Sequence, residues 1–397
     1  MTNEQTFFLQ ILSDHLNGRQ TTPQENIDWS VMMTYAQNHQ VNGIVYIQCK
    51  DFLPDKVGQK LQRKYFSELY YYYNREALYK KVQQAFCEAQ IPFFTVKGLA
   101  VAQFYPVPAL RTMGDCDIVV HPEDKEKAHA VMMALGFECQ SNGENEWVYF
   151  KNKMEFEIHD HLLYDELFNT ESSRRYTDLA AWEKASSVSN ESFFVLEWSF
   201  HFIFLLLHLR KHLVFYGVGF RQFMDLAVLS LHCDLNWNWL QKTLEEFGLR
   251  RFFQICLALL NRWFEIALPY KTPMLDDAFY EETTEKIIAN GVFGFDEEAN
   301  QLNGTINAII CRSGPRWLAR ATLLIGSIFP SYRNMRTVSY YAFVDKRPWL
   351  LPAAWIYRFY RFIRYHLTPN GKHLIENAMT PNEKLDSRKE ILTKWGL

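Results

Sequence analysis

The sequence has little of what marks exported, membrane-spanning or zinc-binding proteins. Its seven cysteines are scattered, and none belongs to a C-x-x-C pair or to a Cys/His zinc spacing. The first residues lack the basic segment that begins a signal peptide. The longest apolar stretch, residues 193–207, contains Glu197 and His201, and its uninterrupted part is shorter than the roughly 20 residues of a spanning helix. These absences predict a reduced, cytoplasmic protein without a transmembrane segment, and a buried core helix over residues 193–207.

The chain also has little net charge. The 397 residues carry a formal net charge of −3, which argues against general nucleic-acid binding. The exception is a basic segment, residues 312–372, which has eleven Lys or Arg and a single acid, Asp345. The composition is otherwise that of an ordinary globular protein, without internal repeats or low-complexity tracts.

Residues 353–366, inside the basic segment, have the pattern of an amphipathic helix. Such a helix suits contact with an anionic membrane surface or with nucleic acid. We favour a core-packed helix with a solvated basic face, because charged helix faces are usually solvated. The basic arc consists of Arg358, Arg361 and Arg364, and the apolar arc of Trp355, Phe359, Phe362 and Ile363.

Secondary-structure patterns divide the chain into three regions. Residues 1–90 carry apolar side chains at helical spacing and predict helices over 29–40 and 60–90. Residues 91–185 contain β-rich runs at 92–96 and 115–121 and a predicted hairpin around Asn152-Lys153. Residues 186–397 are predicted to be helical. The expected fold is α+β and mainly helical, with a small mixed β-sheet core between N- and C-terminal helical regions.

The most informative stretch is RTMGDCDIVV, residues 111–120. Asp115 and Asp117 lead directly into an apolar run, and residues two apart on a strand point to the same face. Two adjacent carboxylates suit a Mg²⁺ ion that also binds water and substrate phosphates. Lys97, followed by Gly98, supplies a cation and a flexible backbone upstream. The pattern predicts a phosphoryl-transfer site, whereas a strand cap followed by a solvated acid is the structural alternative.

A later strand offers a third carboxylate. In the strand predicted over residues 154–161, strict alternation over 155–159 places Glu155, Glu157 and His159 on one face. Three converging acids would raise each other's pKa values in the absence of cations. Two Mg²⁺ ions would neutralise them and clamp the attacking and leaving oxygens of an in-line displacement. Only one of the two glutamates can lie level with the aspartates, and Glu155 is the reserve candidate.

Taken together, these motifs resemble a known family. The pattern K-G (97–98), Y-P (105–106), R-x-x-G-D-x-D (111–117) and E-x-H (157–159) resembles bacterial nucleotidyltransferase-like proteins of the DNA polymerase β superfamily, in particular a largely uncharacterised subgroup. The later G-F-R-x-x-x-D-L (219–226) is similar to that subgroup's helical region. The resemblance covers about residues 30–265. It implies a small mixed sheet with helices, and transfer of a nucleoside monophosphate from an NTP to an acceptor, either a small molecule or a protein.

The resemblance also implies a site. Carried over by position, Asp115, Asp117 and Glu157 are the catalytic carboxylates and the ligands of two Mg²⁺ ions. The residues expected to contact the nucleotide are Lys97, Gly98, Arg111, Gly114, Arg221 and Asp225. By its charge Lys97 would neutralise phosphate oxygens, and Arg111 would either do the same or form a structural bridge to an acid in the same loop. Better-known superfamily members have Gly-Ser in the phosphate-facing turn, which motivates the alternative of a catalytically inactive nucleotide-binding or regulatory protein.

Two pairs on predicted helices have open roles. His208 and His212 lie at i, i+4 and could form half of a metal site, although histidines packed in a core are commoner. Arg221 and Asp225 have the same spacing and either form an ion pair on the helix surface or line the active site.

Overall fold

The structure is a computed structural model in which the chain forms two compact units. The first unit comprises residues 1–213, 217–295 and 395–397, and the second comprises residues 214–216 and 296–394. The described residues are 1–142, 146–162, 179–188, 192–215, 217–269, 272–292, 317, 325, 329–332, 335, 339–344, 347–365 and 382–397. The predicted division of the chain into three regions stays a prediction.

Four helices begin the first unit. They are α1 (Asn3–Leu16), α2 (Trp29–Asn38), α3 (Asn42–Cys49) and the long α4 (Asp55–Glu88). The side chain of Thr2 caps α1 in a capping box with Gln5, and Asp28 caps α2, because both side chains accept from backbone N–H groups of the first turn. The two helices predicted over 29–40 and 60–90 are therefore confirmed, and the second begins earlier than expected.

A seven-stranded mixed sheet follows. The strands are β1 (Phe93–Val96), β2 (Asp117–Val120), β3 (Glu138–Asn142), β4 (Glu146–Lys151), β5 (Met154–His159), β6 (Ala185–Ser187) and β7 (Phe193–Leu196). Their spatial order is β3-β4-β5-β2-β1-β7-β6. The β1–β7 and β2–β5 pairs are parallel, and the other pairs are antiparallel. The hairpin predicted around Asn152-Lys153 is present as β4 and β5, with both turn residues at positive φ.

Helices cover and extend this sheet. Within the strand-bearing region they are α5 (Gly98–Ala102), α6 (Lys125–Ala134) and α7 (Leu179–Glu183), with 3₁₀ turns at Pro108–Leu110 and Pro122–Asp124. Beyond it come α8 (Trp198–Phe215), α9 (Phe220–His232), α10 (Trp237–Glu246), α11 (Arg250–Phe264) and α12 (Asp277–Asn290). The second unit contains 3₁₀ turns at Ser339–Val344 and Pro348–Leu350, helix α13 (Leu351–Tyr365) and helix α14 (Asn382–Lys394). The expectation of an α+β, mainly helical fold with a small mixed sheet is confirmed.

One face of the sheet packs against α4 and α6. The apolar side chains of alternating strand positions, such as Ile118, Phe156 and Ile158, are buried there beside Phe86 of α4 and Met132 of α6. Cys116 joins the same core and is 1% exposed. Because successive strand residues point to opposite faces, this packing leaves Asp117, Glu155 and Glu157 on the other face of the sheet.

Three details of the sequence analysis are wrong. The apolar run over 193–207 is not one helix, because it begins as strand β7 and becomes helix α8 only at Trp198. Strands β3 and β6 were not expected, since their polar sequences lack the β-branched enrichment of a typical strand. Asp115 lies before β2 rather than inside it, because the ladder begins at Asp117.

The predicted helix over 353–366 corresponds to α13. Its predicted apolar arc is not uniformly packed, because Phe359 is 59% exposed. Trp355 is half-buried, and its indole Nε1 donates to the carbonyl oxygen of Pro330. The expectation of a core-packed arc is thus wrong at Phe359, while the side chains of residues 361–364 lie outside the described part of the chain. No helix in the described residues has the length and apolar character needed to cross a bilayer.

Candidate active site

The parallel pairing of β2 with β5 brings three polar side chains together. Asp117 is directly opposite Glu157 in this ladder, and His159 follows two residues later on the same face. One potential ligand atom from each of these three residues lies within 4.8 Å of the others. A carboxylate pair joined by an imidazole is a set of donors that could hold a metal ion.

Asp117 is the most buried member, and its two oxygens have different surroundings. Oδ1 accepts hydrogen bonds from Lys97 Nζ at 2.5 Å and from His159 Nε2 at 3.1 Å. Oδ2 is buried and has no hydrogen-bond partner among the described residues. Leaving a buried carboxylate oxygen without a hydrogen bond costs free energy. Oδ2 is therefore the oxygen of Asp117 that remains available to a further donor or a metal ion.

His159 joins the two carboxylates. Its Nε2 also lies 3.2 Å from Glu157 Oε2, and its Nδ1 lies 3.8 Å from Glu146 Oε2. Burial alone would lower the pKa of His159, but hydrogen bonds to Asp117 and Glu157 outweigh it and raise this pKa to about 9. His159 is therefore a cation at neutral pH.

Lys97 and His159 together determine the charge of Asp117. Burial would raise the pKa of this carboxyl, but the charges of Lys97 and His159 hold it well below its usual range. The Asp117, Asp115 and Glu157 carboxylates likewise outweigh burial at Lys97 and raise its pKa. Mutual repulsion of acids, expected from the sequence, thus does not raise the pKa of Asp117, because two internal cations already neutralise it.

Asp115 and the glycine turn lie beside this cluster. The backbone of Gly98 is so close to the loop before β2 that a Cβ there would lie 3.3 Å from Met113 Sδ and 3.6 Å from the carbonyl oxygen of Asp115. Lys97 itself has a positive φ of 53°. This left-handed turn directs the chain from β1 into α5 next to the D-x-D segment.

A cavity of about 360 Å³ opens next to the cluster. Lys97 lines it and connects it with Asp117, and Glu155 is a further acidic residue of its wall. The other predicted site residues that line it are Arg111, Gly114, Asp115, Arg221 and Asp225. The fold therefore brings residues from β1, the loop before β2, strand β5 and helix α9 to one place.

Arg111 and Asp225 form a buried ion pair across this cavity wall. Arg111 donates from Nε to Asp225 Oδ1 at 3.1 Å and from Nη2 to Oδ2 at 2.5 Å. The hydroxyl of Tyr105 also donates to Asp225 Oδ1, at 2.7 Å. Of the two roles open for Arg111, the geometry is that of a bridge to an acid, but the acid lies on α9 and not in the same loop.

Arg221 is buried on α9, not on a helix surface. Its Nη1 donates to Gln40 Oε1 and to the carbonyl oxygen of Thr112, both at 2.9 Å. Burial and the charge of Arg111 lower the pKa of Arg221 to about 10. The guanidinium ties helix α9 to the loop that precedes Asp115.

The three histidines of α8 are neutral; His201 is buried, and His208 and His212 are half-buried. Burial lowers the pKa of His201 to about 4, and its Nε2 accepts a hydrogen bond from the backbone N–H of Lys97. Burial also lowers the pKa of His208 well below its usual value and that of His212 to about 4. His208 and His212 line the cavity with ring centroids 4.4 Å apart, but they do not belong to the cluster of potential metal ligands found in the described residues.

The sequence patterns did not predict the roles of two side chains near the site, His159 and Arg75. His159 was placed on the correct face without a role, although its position in E-x-H was a signal. Arg75 of α4 donates to the carbonyl oxygens of Met113 and Gly114 at 2.7 and 2.8 Å. Nothing in the local sequence marks it, because it lies in the middle of a long helix and meets the loop only in the folded chain.

Comparison with known proteins agrees with this geometry. The sequence profile of a family described as uncharacterised nucleotidyltransferase matches residues 25–265. The chain belongs to this nucleotidyltransferase family. The matched residues include the entire sheet, the Asp117–Glu157–His159 cluster and the cavity beside it. No curated protein and no solved structure gives a significant match.

Proposed function

We propose that the protein transfers a nucleoside monophosphate from an NTP to the hydroxyl of an unidentified acceptor, by a two-metal mechanism. In this reaction the acceptor oxygen bonds to the α-phosphorus, the bond from that phosphorus to the bridging oxygen breaks, and pyrophosphate leaves. Membership of a nucleotidyltransferase family supports this reaction class. The observation that carries the proposal is the juxtaposition of Asp117 and Glu157 on parallel strands.

The residues present fit a divalent cation. Asp115, Asp117 and Glu157 supply oxygen atoms, which Mg²⁺ prefers, and Asp117 Oδ2 is buried without a partner among the described residues. When bound, Mg²⁺ supplies charge neutralisation at the transferring phosphate and orients the attacking and leaving oxygens. The cationic state of His159 opposes metal binding, so we expect His159 to lose its proton or to turn away when the site is loaded.

The protein's own side chains have distinct roles in this proposal. Glu157 accepts the proton of the acceptor hydroxyl. Lys97, a compact cation beside Asp117, neutralises oxygens of the departing pyrophosphate. Gly114, which lines the cavity, allows a phosphate to approach the backbone, and Gly98 lets the turn after β1 pack against the loop before β2. Arg111, Arg221 and Asp225 line the nucleotide cavity, where their hydrogen bonds hold α9 against the loop before β2.

The test measures pyrophosphate release and incorporation of label from α-labelled NTPs with Mg²⁺ and a cell extract as the source of acceptors. We expect release from the wild type and none from Asp115→Asn/Asp117→Asn. Glu123→Gln, which changes an exposed acid of the following turn, is the matched control and should behave as wild type. Equal release from the wild type and the double variant, or NTP binding that ignores Mg²⁺ without product, would contradict the proposal.

A further inference from the structure

A second cavity borders Thr112 and Met113, the residues shortly before the D-x-D segment. Its volume is about 400 Å³, and its wall includes Lys64, Glu68, Tyr71 and Arg75 of α4. Arg111 lines both cavities, and Arg75 is hydrogen-bonded to Gly114, which lines the first one. The backbone of residues 112–114 therefore lies between the two cavities. The proposed transfer reaction assigns nothing to this second cavity.

Arg75 is the feature of this cavity that points to a ligand. The residue is only 6% exposed, and it donates two hydrogen bonds, both to carbonyl oxygens. Its buried Nε has no hydrogen-bond partner among the described residues, and the carboxylates of Asp115 and Glu155 act on the guanidinium without forming an ion pair with it. A buried charge without a directly bonded counter-charge is costly, and proteins usually pair it. An anion bound from solution would supply the missing counter-charge.

The rest of the wall is also positive. Lys64 and Lys153 line the cavity, and neither has an ion-pair partner in the described part of the chain. Glu68 is the one acid of the wall, and its carboxylate is already occupied by hydrogen bonds from the backbone N–H of Gly43 and from Asn42. The excess of cations over acids favours a negatively charged ligand.

Two aromatic side chains complete the wall. Tyr71 is 45% exposed although it is large and apolar, and Tyr72 beside it is half-buried. Stacking on an exposed aromatic side chain favours binding of a flat ring, such as a nucleobase. A tyrosine surface next to an unpaired guanidinium suits a compound that combines a ring with an anionic group.

We propose that this second cavity is a binding site for a small organic anion, a compound with a flat ring and a phosphate or carboxylate group. The anionic group pairs with Arg75 and Lys64, and the ring lies against Tyr71. Because Arg75 also holds the carbonyl oxygens of the two residues before Asp115, the ligand contacts the same side chain that supports the D-x-D loop.

The experiment measures binding by calorimetry in EDTA, so that no divalent cation contributes. The probes are adenosine monophosphate, which has a ring and a phosphate, and its parts, adenosine and inorganic phosphate; benzoate tests a carboxylate instead of a phosphate. We expect saturable binding of adenosine monophosphate or benzoate, and at least tenfold weaker binding of adenosine and inorganic phosphate, because each makes only part of the contacts. Which of the two compounds binds more tightly identifies the anionic group.

Matched variants on α4 locate the site. Lys64→Gln and Tyr71→Ala should each weaken binding by about tenfold, whereas Lys60→Gln and Tyr73→Ala, which change exposed residues outside the cavity wall, should change it less than twofold. All four positions are on the surface of the helix, so the variants should fold. Absence of saturable binding, or equal effects of the two pairs, would overturn the proposal. Because the readout needs neither metal nor turnover, its failure is distinguishable from failure of the transferase proposal.

Discussion

At the scale of single residues, Glu155 and Glu157 of β5 are the two candidates for the third carboxylate of the site. Glu157 is opposite Asp117 in the ladder, and its Oε2 lies 3.2 Å from the imidazole that also contacts Asp117. Glu155 is two residues earlier, where its carbonyl oxygen accepts from the backbone N–H of Cys116, and its side chain lines the cavity. Burial and the charges of Glu157 and Asp115 raise the pKa of Glu155. Only Glu157 is level with the buried aspartate.

We predict that Glu157→Gln abolishes pyrophosphate release and weakens Mn²⁺ binding at least tenfold, since one carboxylate of the cluster is lost. Glu155→Gln, the same change on the same strand face, should retain both within about threefold. Calorimetric titration with Mn²⁺ and the release assay provide the two measurements, and thermal unfolding verifies that both variants are folded. If Glu155→Gln is inactive and Glu157→Gln is active, the third carboxylate belongs to the cavity wall and our assignment is wrong.

At the scale of elements, the alternation of β5 and its hairpin pairing with β4 were predictable from the sequence, whereas the order of the strands in the sheet was not. Period-two alternation in 154–159 places the apolar side chains in the core and leaves Glu157 and His159 together, because nothing else satisfies both faces. The apolar run that becomes β7 and α8 is ambiguous, since strands and helices buried on all sides look alike in sequence. Its first four residues become strand because they extend the sheet beside β1, a contact between distant segments.

The contact between α9 and the loop after α5 gives an element-scale prediction. We predict that Asp225→Asn lowers the free energy of unfolding by about 3 to 5 kcal/mol, because it leaves the buried Arg111 guanidinium without its counter-charge. Tyr105→Phe, which removes only the hydroxyl's hydrogen bond to the same carboxylate, should cost less, about 1.5 to 3 kcal/mol. Urea unfolding followed by circular dichroism measures both.

The double variant Arg111→Met/Asp225→Leu is the control for this interpretation. It removes both charges and should be less destabilised than Asp225→Asn, because no unpaired charge remains in the interior. A cost for Asp225→Asn no larger than that for Tyr105→Phe would contradict the structural role assigned to this ion pair.

At the scale of the whole molecule, the site depends on contacts that no local pattern contains. The hydroxyl of Tyr105 and its acceptor Asp225 are 120 residues apart in the chain, and Arg75 is 39 residues from the glycine it supports. Sequence motifs therefore indicated residues that the fold brings to the D-x-D segment, but they predicted neither the partner of Arg111 nor the two cations, Lys97 and His159, that neutralise Asp117. Both depend on which helices the core places against the sheet.

The charges around Asp117 also make global stability depend on pH. The raised pKa of His159 means that its ion pairs stabilise the fold fully below its unfolded value of 6.5 and that this contribution is lost as the pH rises through about 9. The lowered pKa of Asp117 means that its contribution is present above 3.8 and is lost as the pH falls below that value. The stabilisation from this cluster is therefore greatest between about pH 3.8 and pH 6.5. The charged groups that face His159 are Asp117, Glu157, Glu146 and Lys97.

We predict that His159→Gln destabilises the protein most near pH 6 and progressively less toward pH 9.5, because the wild-type imidazolium is lost over that interval. At about 1.4 kcal/mol per pKa unit, the shift from 6.5 to about 9 sets an upper limit of about 3 to 4 kcal/mol on the difference. Urea unfolding of both proteins in EDTA at each pH gives the measurement, and taking the difference at the same pH cancels the contributions of other buried histidines such as His201. A difference that is constant from pH 6 to pH 9.5, or that grows, would show that His159 is not held as a cation between Asp117 and Glu157.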